Sequence, residues 1–174
     1  MSFNITEFMG AMTGDGVRPN LFEVSVVGFG SDFTFKAKAT SIPSSSIGVA
    51  STYYYGRMVK FAGNRTFDNW TVSVLLDEDD YTSGGIRGMF ELWSSSLNTH
   101  IGNRRTASTN LASYARTCTV NQMSKIGGQI GLYNMFFAFP IDISPISLDW
   151  SANDSIAEFS VTFAYQYWTS LAAT

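Results

Sequence analysis

The chain has 174 residues, enough for one domain of the usual ~150 residues, and it carries a formal net charge of −3 with a pI near 5.0. Charged residues make up only 14% of it, against about 25% in an average soluble domain, whereas aromatic residues reach 15%. This composition excludes a disordered chain, the acidic balance argues against binding nucleic acid by neutralising phosphates, and the longest apolar run, residues 135–141, is too short for a membrane helix.

Alternating apolar and polar residues predict strands over most of the chain. The first alternating run is residues 22–26, and the second is residues 33–40. Residues 28–32, rich in glycine and serine, lie between them and predict a turn, so we expect a hairpin. Further strands are predicted over residues 66–76, 116–123 and 158–167.

One segment has a helical period instead. Its apolar residues recur with the spacing of a helix and form a single stripe: Ile86, Met89, Phe90, Trp93 and Leu97. Thr82 or Ser83 can cap the first turn, and acidic residues 77–80 lie just upstream, where the helix dipole favours negative charge. Long loops are predicted over residues 41–51 and 98–113.

Residues 132–139 do not alternate, because only Asn134 interrupts a run of apolar residues. Small antiparallel sheets normally keep one face polar, so something must cover the second face of this strand. The predicted helix could cover it within the monomer, or another subunit could. The cluster of Tyr53, Tyr54, Tyr55 and Met58 is a further candidate contact surface.

The residue types that carry most enzyme and metal chemistry are scarce. The only histidine, His100, lies in a predicted loop, and the only cysteine, Cys118, lies on the apolar face of a predicted strand. A solvated histidine and a small core residue are the simpler interpretations. Residues 77–80 lack calcium-loop spacing, and Gly28 and Gly30 lack the third glycine of a dinucleotide fingerprint. We therefore predict no catalytic residue, no cofactor, no metal site and no internal disulfide.

Four strings of residues follow one another along residues 18–168. They are Arg18-Pro19-Asn20-Leu21-Phe22; Phe33-Thr34-Phe35 with Lys38-Ala39-Thr40 and Pro43; Gly63-Asn64-Arg65-Thr66-Phe67-Asp68-Asn69-Trp70-Thr71-Val72; and Leu148-Asp149-Trp150 with Ile156, Phe159, Val161, Thr162, Tyr167 and Trp168. In this order the strings resemble the tail tube proteins of T-even-like contractile-tailed bacteriophages. Residues 44–57 and 98–113 match that family less well.

The resemblance implies a mainly β fold with one flanking α-helix, in which two packed antiparallel sheets form a sandwich or barrel, as the periodicities also predict. It implies a single tail-tube domain over residues 1–174, with an N-terminal arm over residues 1–17 and a long interface loop over residues 41–63. Subunits of this family form hexameric rings that stack into a tube, each contributing strands to an intersubunit β-barrel. Such pairing would cover free strand edges and the two-faced strand.

The implied function is structural, without catalysis: the inner tail tube of the virion, inside a contractile sheath and related to type VI secretion tubes, conducts DNA into the host. Implied partners are the sheath, the baseplate or tube initiator, the tape measure protein and the tail terminator, with DNA passing through without specific binding. Assembly is expected in the bacterial cytoplasm, because Glu7 and Asp15 precede the first arginine and the N-terminus has no long apolar core of a secretory signal.

Three sets of residues are predicted to carry these roles. The predicted subunit and ring contacts are Pro43, Ile47, Tyr53, Tyr54, Tyr55 and Met58. The predicted sheath-facing residues are Arg87, Glu91 and Ser95, on the polar side of the helix. The predicted lumen residues are Thr117, Thr119 and Asn121. A predicted strand face with Lys36 and Lys38 stays open as an alternative lining.

Three other functions compete with this one. The first is a tube protein of a tailocin or another contractile injection system that delivers protein or no cargo. The second is a monomeric β-barrel module that binds an apolar or sugar ligand through its aromatic residues. The third is a hydrolase that uses His100. Negative-stain images of rings or tubes with a central hole would separate the tube proteins from the other two.

Overall fold

The computed structural model describes residues 4–12, 14 and 16–172. The strands are β1 (Phe22–Val26), β2 (Ala37–Thr40), β3 (Ser46–Tyr54), β4 (Arg57–Thr66), β5 (Trp70–Leu75), β6 (Arg116–Met123), β7 (Gln129–Ile143), β8 (Glu158–Ala164) and β9 (Tyr167–Ser170). The helices are α1 (Ile5–Ala11), α2 (Gly30–Lys36), α3 (Ile86–Leu97) and α4 (Leu111–Tyr114), and a 3-10 turn covers Glu78–Tyr81. Strands dominate, as the alternation predicts.

Two antiparallel sheets share the long strand β7. The first sheet has the order β1-β6-β7-β9, and the second has the order β7-β8-β5-β2. β9 pairs with residues 133–136 of β7 and β8 with residues 139–143, so both follow one edge of β7. Phe137 lies between these segments with a φ of 55°, which is rare for a bulky residue. The chain therefore passes from one sheet to the other at Phe137.

One hydrophobic core joins the two sheets to α2 and α3. The first sheet contributes Val24, Val26, Cys118, Val120 and Met135; the second contributes Trp70, Val72, Val74, Phe159, Val161 and Phe163. The helices add Phe33, Phe90 and Trp93. Every second residue of β5 and β8 is buried, which is the pattern expected of strands with one covered face. The prediction of two packed antiparallel sheets is confirmed.

The predicted hairpin over residues 22–40 is wrong. Residues 30–36 form α2, while β1 pairs with β6 and β2 pairs with β5. Phe29 and Phe33, one helical turn apart, both pack on Phe90, with ring centroids 4.4 and 5.7 Å away. This contact fixes a helix and leaves Phe35 82% exposed. The alternation misled because only one of its two phenylalanines belongs to the core.

The predicted helix over residues 86–97 is confirmed by α3, but its predicted hydroxyl cap is wrong. The N-cap residue is Gly85, and no side chain at that position makes a capping bond. Instead, the buried carboxylate of Asp80 accepts a hydrogen bond from the Ile86 N–H at 3.2 Å. A Cβ at Gly88 would lie 1.9 Å from the Thr82 carbonyl oxygen, so glycine alone permits this close approach of helix and loop.

Three other boundaries differ from the sequence predictions. β3 begins at Ser46, inside the predicted loop over residues 41–51, because its pairing with β4 outweighs the weak strand propensity of serine and glycine. The predicted strand over residues 66–76 is divided between β4 and β5. The structure also has three helices that the sequence pattern did not predict, α1, α2 and α4; the pattern predicted only α3.

Candidate assembly surfaces

β3 and β4 form an antiparallel hairpin, here called the arm (residues 46–66). Within the described residues the arm pairs with no other strand, and every residue of β3 and β4 is exposed. The long interface loop expected over residues 41–63 is therefore mostly a hairpin, and the strands of this hairpin, β3 and β4, are exposed along their whole length. An isolated two-stranded hairpin is marginally stable in water, and the subunit alone gives the strands of this hairpin little support.

Both faces of the arm carry apolar side chains. Directly opposed residues on one face are Val49 with Ala62, Ser51 with Lys60, and Tyr53 with Met58; on the other face they are Ala50 with Phe61, Thr52 with Val59, and Tyr54 with Arg57. Tyr53 is 74% exposed and Phe61 is 58% exposed. The sequence reasoning missed Val49, Val59 and Phe61, although their spacing of two along each strand was visible. A ribbon that is apolar on both faces is suited to insertion between two surfaces.

The tip of the arm is a two-residue turn with an unusual tyrosine. Tyr55 has a φ of 48° and Gly56 a φ of 75°, the two positive values of a type I′ turn. Glycine adopts this conformation readily, whereas a bulky side chain does so rarely. The Tyr55 ring is 92% exposed and meets Tyr54 edge-on at 4.6 Å. Because the backbone conformation of the turn disfavours tyrosine, the turn itself does not explain this residue. Contacts made by the exposed side chain explain it better.

The base of the arm is tied to the domain by main-chain carbonyls. Trp70 Nε1 donates to the Ser41 carbonyl at 2.9 Å. Tyr165 Oη and Trp168 Nε1 both donate to the Ser44 carbonyl, at 3.3 and 3.1 Å. These donors belong to β5, β9 and the residue after β8, so the sheets fix where the arm leaves the body. The exposed ribbon therefore starts from a rigid foundation.

The residues predicted as interface contacts divide into two groups. Ile47, Tyr53, Tyr54 and Met58 lie exposed on the strands of the arm, and Tyr55 lies exposed at its tip. Pro43 is buried within the subunit, beside the anchored base. Its side chain is covered within the subunit, so the structure does not favour a contact role for Pro43.

The outer face of the first sheet carries the predicted lumen residues. Thr117, Thr119 and Asn121 are half-buried and alternate with buried Cys118 and Val120. Thr119 Oγ1 donates to Asn134 Oδ1 at 2.9 Å, and Glu23 lies opposite Asn121. Among the described strands of this sheet, Glu23 is the one charged residue on the outer face. The part of the face on β1 and β6 is polar, nearly neutral and slightly acidic, whereas Leu132, Phe136 and Tyr167 make the part on β7 and β9 apolar.

The outer face of the second sheet is the alternative lumen wall. Here Thr71 and Thr162 hydroxyls hydrogen bond at 3.1 Å, and Asp142 lies opposite Thr162. Lys38 makes a salt bridge with Glu158, so its charge is balanced within the subunit. Neither face is a basic stripe of the kind that binds phosphates.

Lys36 does not share a strand face with Lys38, contrary to the sequence prediction. It ends α2, and its Nζ lies 2.8 Å from the Asp80 carboxylate. Burial alone would raise the pKa of Asp80, but hydrogen bonds from Lys36 and from the N–H groups of Asp77 and Ile86 hold that pKa below its usual value. This buried ion pair links α2, the 3-10 turn and α3. Lys36 is thus a structural residue rather than part of a channel.

The outward side of α3 differs from the predicted set of Arg87, Glu91 and Ser95. The Arg87 side chain is only 15% exposed: its Nε donates to Glu91 at 2.7 Å, its Nη1 donates to the Ser144 carbonyl at 3.0 Å, and its guanidinium lies 5.0 Å from the Phe159 ring. Ser95 is half-buried. Arg87 is therefore mostly covered within the subunit, and Glu91 is the exposed charge of this helix face. The sheath-facing role of Arg87, Glu91 and Ser95 stays a prediction.

The reactive groups do not converge on a site. Cys118 is fully buried, and burial raises the pKa of its thiol to about 12, so it is not a thiolate at neutral pH. His100 is exposed in a groove of about 560 Å³ with Asn98, Asn103 and Arg105. In residues 4–12, 14 and 16–172 we find no group of three or more His, Cys, Asp or Glu side chains placed to hold a metal ion. The helices described there are all too short or too polar to cross a membrane.

Comparison with known proteins bears on these surfaces. Residues 5–171 match a family described as phage tail tube protein. The chain is 33% identical over 160 residues to tail tube protein gp19 of Enterobacteria phage T4, covering 90% of this chain and 93% of that one. Among solved structures it resembles a chain of the sheath–tube complex of an extracellular contractile injection system, with a TM-score of 0.67, 18% identity and coverage of 99% and 100%. It also resembles a chain of the anti-feeding prophage tube terminating cap, with a TM-score of 0.67, 16% identity and coverage of 89% and 90%.

Proposed function

The chain belongs to the phage tail tube protein family, and from this premise we propose that its subunits close into hexameric rings that stack into the tube of a contractile tail. The observation that carries the proposal is the arm. It is fully exposed, apolar on both faces and anchored rigidly at its base. An isolated hairpin is only marginally stable in water. Burial of the arm between subunits would supply the stabilising contacts that its own domain does not provide.

Stacking into a tube requires two kinds of contact. One must close around the ring, and the other must repeat without closing along the axis. The arm suits this demand because one face, with Tyr53 and Met58, can meet one neighbour while the other, with Tyr54 and Phe61, meets a second. Tyrosine is one of the residue types enriched among interface hot spots. Truncating a hot-spot residue near the centre of an interface costs about 2 kcal/mol or more of binding free energy.

The lumen follows from the polarity of the sheets. We assign the wall to the outer face of the first sheet, where Thr117, Thr119 and Asn121 are small or amide side chains and Glu23 is acidic. A conduit lined by many cations would hold DNA, because each neutralised phosphate adds salt-dependent affinity. We therefore expect DNA to pass without being bound. Sub-micromolar binding of duplex DNA by assembled tubes at physiological salt would contradict this assignment.

The outer surface of the tube is assigned to α3, with Glu91 as the charge available to a sheath subunit. Solved relatives of similar fold come from complexes named for a sheath, a baseplate and a terminating cap. By analogy this subunit would meet a sheath protein, a baseplate initiator and a terminator, and it would enclose a tape measure protein. As a member of its family it would be a virion component assembled in the bacterial cytoplasm.

Electron microscopy of the purified protein tests assembly directly. We expect rings with a central hole that join into tubes; a discrete dimer as the only species would refute the proposal. The double variant Tyr53→Ser/Tyr55→Ser should remain folded but form no long tubes. Tyr81→Ser is the matched control, because Tyr81 is also an exposed tyrosine, at 59%, but lies on the body. Tubes of equal length from the double variant would show that the arm is not the contact.

A further inference from the structure

The charges of the chain are divided unequally between the arm and the body, which here means every residue outside the arm. The arm carries three cations, Arg57, Lys60 and Arg65, and no acidic residue. The whole chain has 11 Lys and Arg against 14 Asp and Glu. Without the arm, 8 cations and 14 anions are left, so the body has a formal charge of −6 and the arm one of +3. The subunit is a basic ribbon attached to an acidic body.

The three cations of the arm form no salt bridge within the described part of the subunit. All three lie on β4, which is exposed along its whole length. The salt bridges between described residues are made instead by Lys36, Lys38 and Arg87, all on the body. Arg65 Nη1 donates to the Ser45 hydroxyl at 2.9 Å, which is a neutral acceptor. The charge of the arm is therefore not balanced by its own subunit.

Each face of the arm places a cation among apolar and aromatic side chains. Lys60 lies on the face with Tyr53 and Met58, whereas Arg57 lies on the other face, directly opposite Tyr54. Long cationic side chains can lay their stems on apolar surface while the charged group reaches a polar partner. Burying these charges without a partner would be costly. A surface that receives either face must therefore offer carboxylates as well as apolar groups.

The body of a second copy offers such carboxylates. Asp32, Glu78 and Asp142 are exposed, on α2, the 3-10 turn and β7, and within the described residues none of the three makes a salt bridge. Apolar side chains lie beside some of them, since Ile141, next to Asp142, is 47% exposed. DNA fits the arm less well, because its cations are divided between two faces and form no basic stripe. Charge complementarity therefore favours another subunit.

We propose that the arm docks on the body of a neighbouring subunit as a basic ribbon on an acidic surface, with Arg57 and Lys60 each paired to a carboxylate of that neighbour. This inference rests on the proposed tube. Opposite charges steer association and raise its rate by about 10- to 1,000-fold at low salt. The same cations repel the arm of a second free subunit, which keeps the exposed strand edges of two arms from pairing. The charges therefore direct each arm to a body and away from another arm.

Two double variants with the same net charge test the docking. Arg57→Gln with Lys60→Gln removes two cations from the arm, and Arg104→Gln with Lys125→Gln removes two exposed cations from the body. Each double variant changes the net charge from −3 to −5. Followed by light scattering, tube growth of the arm variant should be slower by about tenfold or more. The body variant should grow at least as fast as the unmodified protein, because its body is more acidic. Equal slowing of both would refute the docking, since net repulsion would explain it.

Salt gives a second readout of the same contact. Between about 0.01 and about 1 M salt the screening length falls from about 30 to about 3 Å. Tube growth of the unmodified protein should slow over this range, and growth of the arm variant should depend on salt much less. A contact made by apolar groups alone would not be weakened by screening. Growth that is equally fast at both ends of the range would therefore contradict the proposal.

A carbodiimide tests the ion pair directly, because it forms an amide bond between a lysine amine and a carboxylate in contact with it. Treated tubes should give covalent multimers, and peptide mapping should find Lys60 joined to a carboxylate of the body. Lys60→Arg keeps the charge and should still form tubes, but it should lose this cross-linked peptide. Lys125→Arg is the matched control and should keep it. Mapping also identifies the carboxylate that receives the arm.

The outcomes separate this inference from the proposed function. If the unmodified protein forms no rings or tubes, the proposed function fails. If tubes form but the Arg57→Gln/Lys60→Gln variant grows as fast as the unmodified protein, the docking is refuted and the tube stands. Tubes with no cross-link at Lys60 would refute it as well. Loss of duplex DNA binding in the arm variant, with tube growth unchanged, would assign the cations to nucleic acid and would also refute it.

Discussion

Replacing Asp80 by asparagine probes the buried ion pair beneath α3. The carboxylate is 3% exposed and accepts hydrogen bonds from Lys36 Nζ and the Asp77 N–H at 2.8 Å each, and from the Ile86 N–H at 3.2 Å. Asparagine keeps one acceptor oxygen but turns an N–H₂ toward another donor. Breaking a buried ion pair costs ~3–5 kcal/mol. Because the Lys36 side chain is 26% exposed and can reach water, we expect about 3 kcal/mol.

The pH dependence of stability gives an independent readout of the same residue. Burial works to raise the pKa of Asp80, but its three hydrogen-bond donors hold that pKa below the usual 3.8. A carboxyl with a lower pKa in the folded state binds its proton less readily there. Its stabilisation is therefore fully present above the unfolded value of 3.8 and is lost as the pH falls through the folded pKa. Asp80→Asn should lack this part of the acid destabilisation.

Urea unfolding followed by tryptophan fluorescence measures both effects. The measurements belong on the Tyr53→Ser/Tyr55→Ser background, because assembled tubes would make stability depend on concentration. Glu91→Gln is the matched control: its carboxylate pairs with Arg87 but its side chain is 55% exposed, so its loss should cost about 0.5 kcal/mol or less. Equal small losses for Asp80→Asn and Glu91→Gln, with the same pH slope, would refute the reasoning.

Three further predictions concern single residues. Trp93→Ala should lower the free energy of unfolding by ~3–5 kcal/mol, because Trp93 is 4% exposed and donates to the Tyr114 carbonyl at 2.8 Å; an unchanged urea midpoint would show that α3 is not packed as described. Tyr55→Asn should keep the turn, since asparagine tolerates positive φ, yet weaken tube formation by electron microscopy; normal tubes would assign Tyr55 to the turn alone. Iodoacetamide at mildly alkaline pH should leave Cys118 unmodified until urea is added, because burial raises the pKa of its thiol to about 12; rapid labelling of the native protein would contradict that burial.

The sequence predicted the elements whose local pattern and tertiary contacts agree. α3 has the predicted bounds because its stripe faces the core, and β6 has the predicted bounds because Cys118 and Val120 alternate with polar residues. Residues 30–36 failed because the helix depends on a distant ring, Phe90, which no window around Phe33 contains. The apolar run over residues 132–139 departs from alternation because β7 serves two sheets in succession. A cover supplied by another subunit stays a prediction.

The candidate surfaces were predictable only where residue type was enough. The tyrosines of the arm stood out from their composition, and the structure places them in the open. The burial of Arg87 was not predictable, because it depends on the Ser144 carbonyl and the Phe159 ring, which lie far along the chain. The burial of Pro43 depends likewise on the tertiary fold, which sequence spacing does not carry. Lys36 failed for the same reason, since its partner Asp80 lies far along the chain. Helix α1 lies within residues 1–17, for which the sequence analysis predicted an N-terminal extension but no helix.

The way the arm is anchored has a consequence for how such proteins diverge. The hydrogen bonds that anchor the arm run from Trp70, Tyr165 and Trp168 to the main-chain carbonyls of Ser41 and Ser44. A main-chain carbonyl is present whatever the residue type. No side chain of the exposed ribbon enters these hydrogen bonds. The sequence of the ribbon can therefore change together with that of a neighbouring subunit, while the anchoring hydrogen bonds are kept. For the same reason, the ribbon of one relative should be exchangeable for that of another. The first graft junction belongs between Ser44 and the start of the arm at Ser46, so that the anchored carbonyls of Ser41 and Ser44 stay with the body.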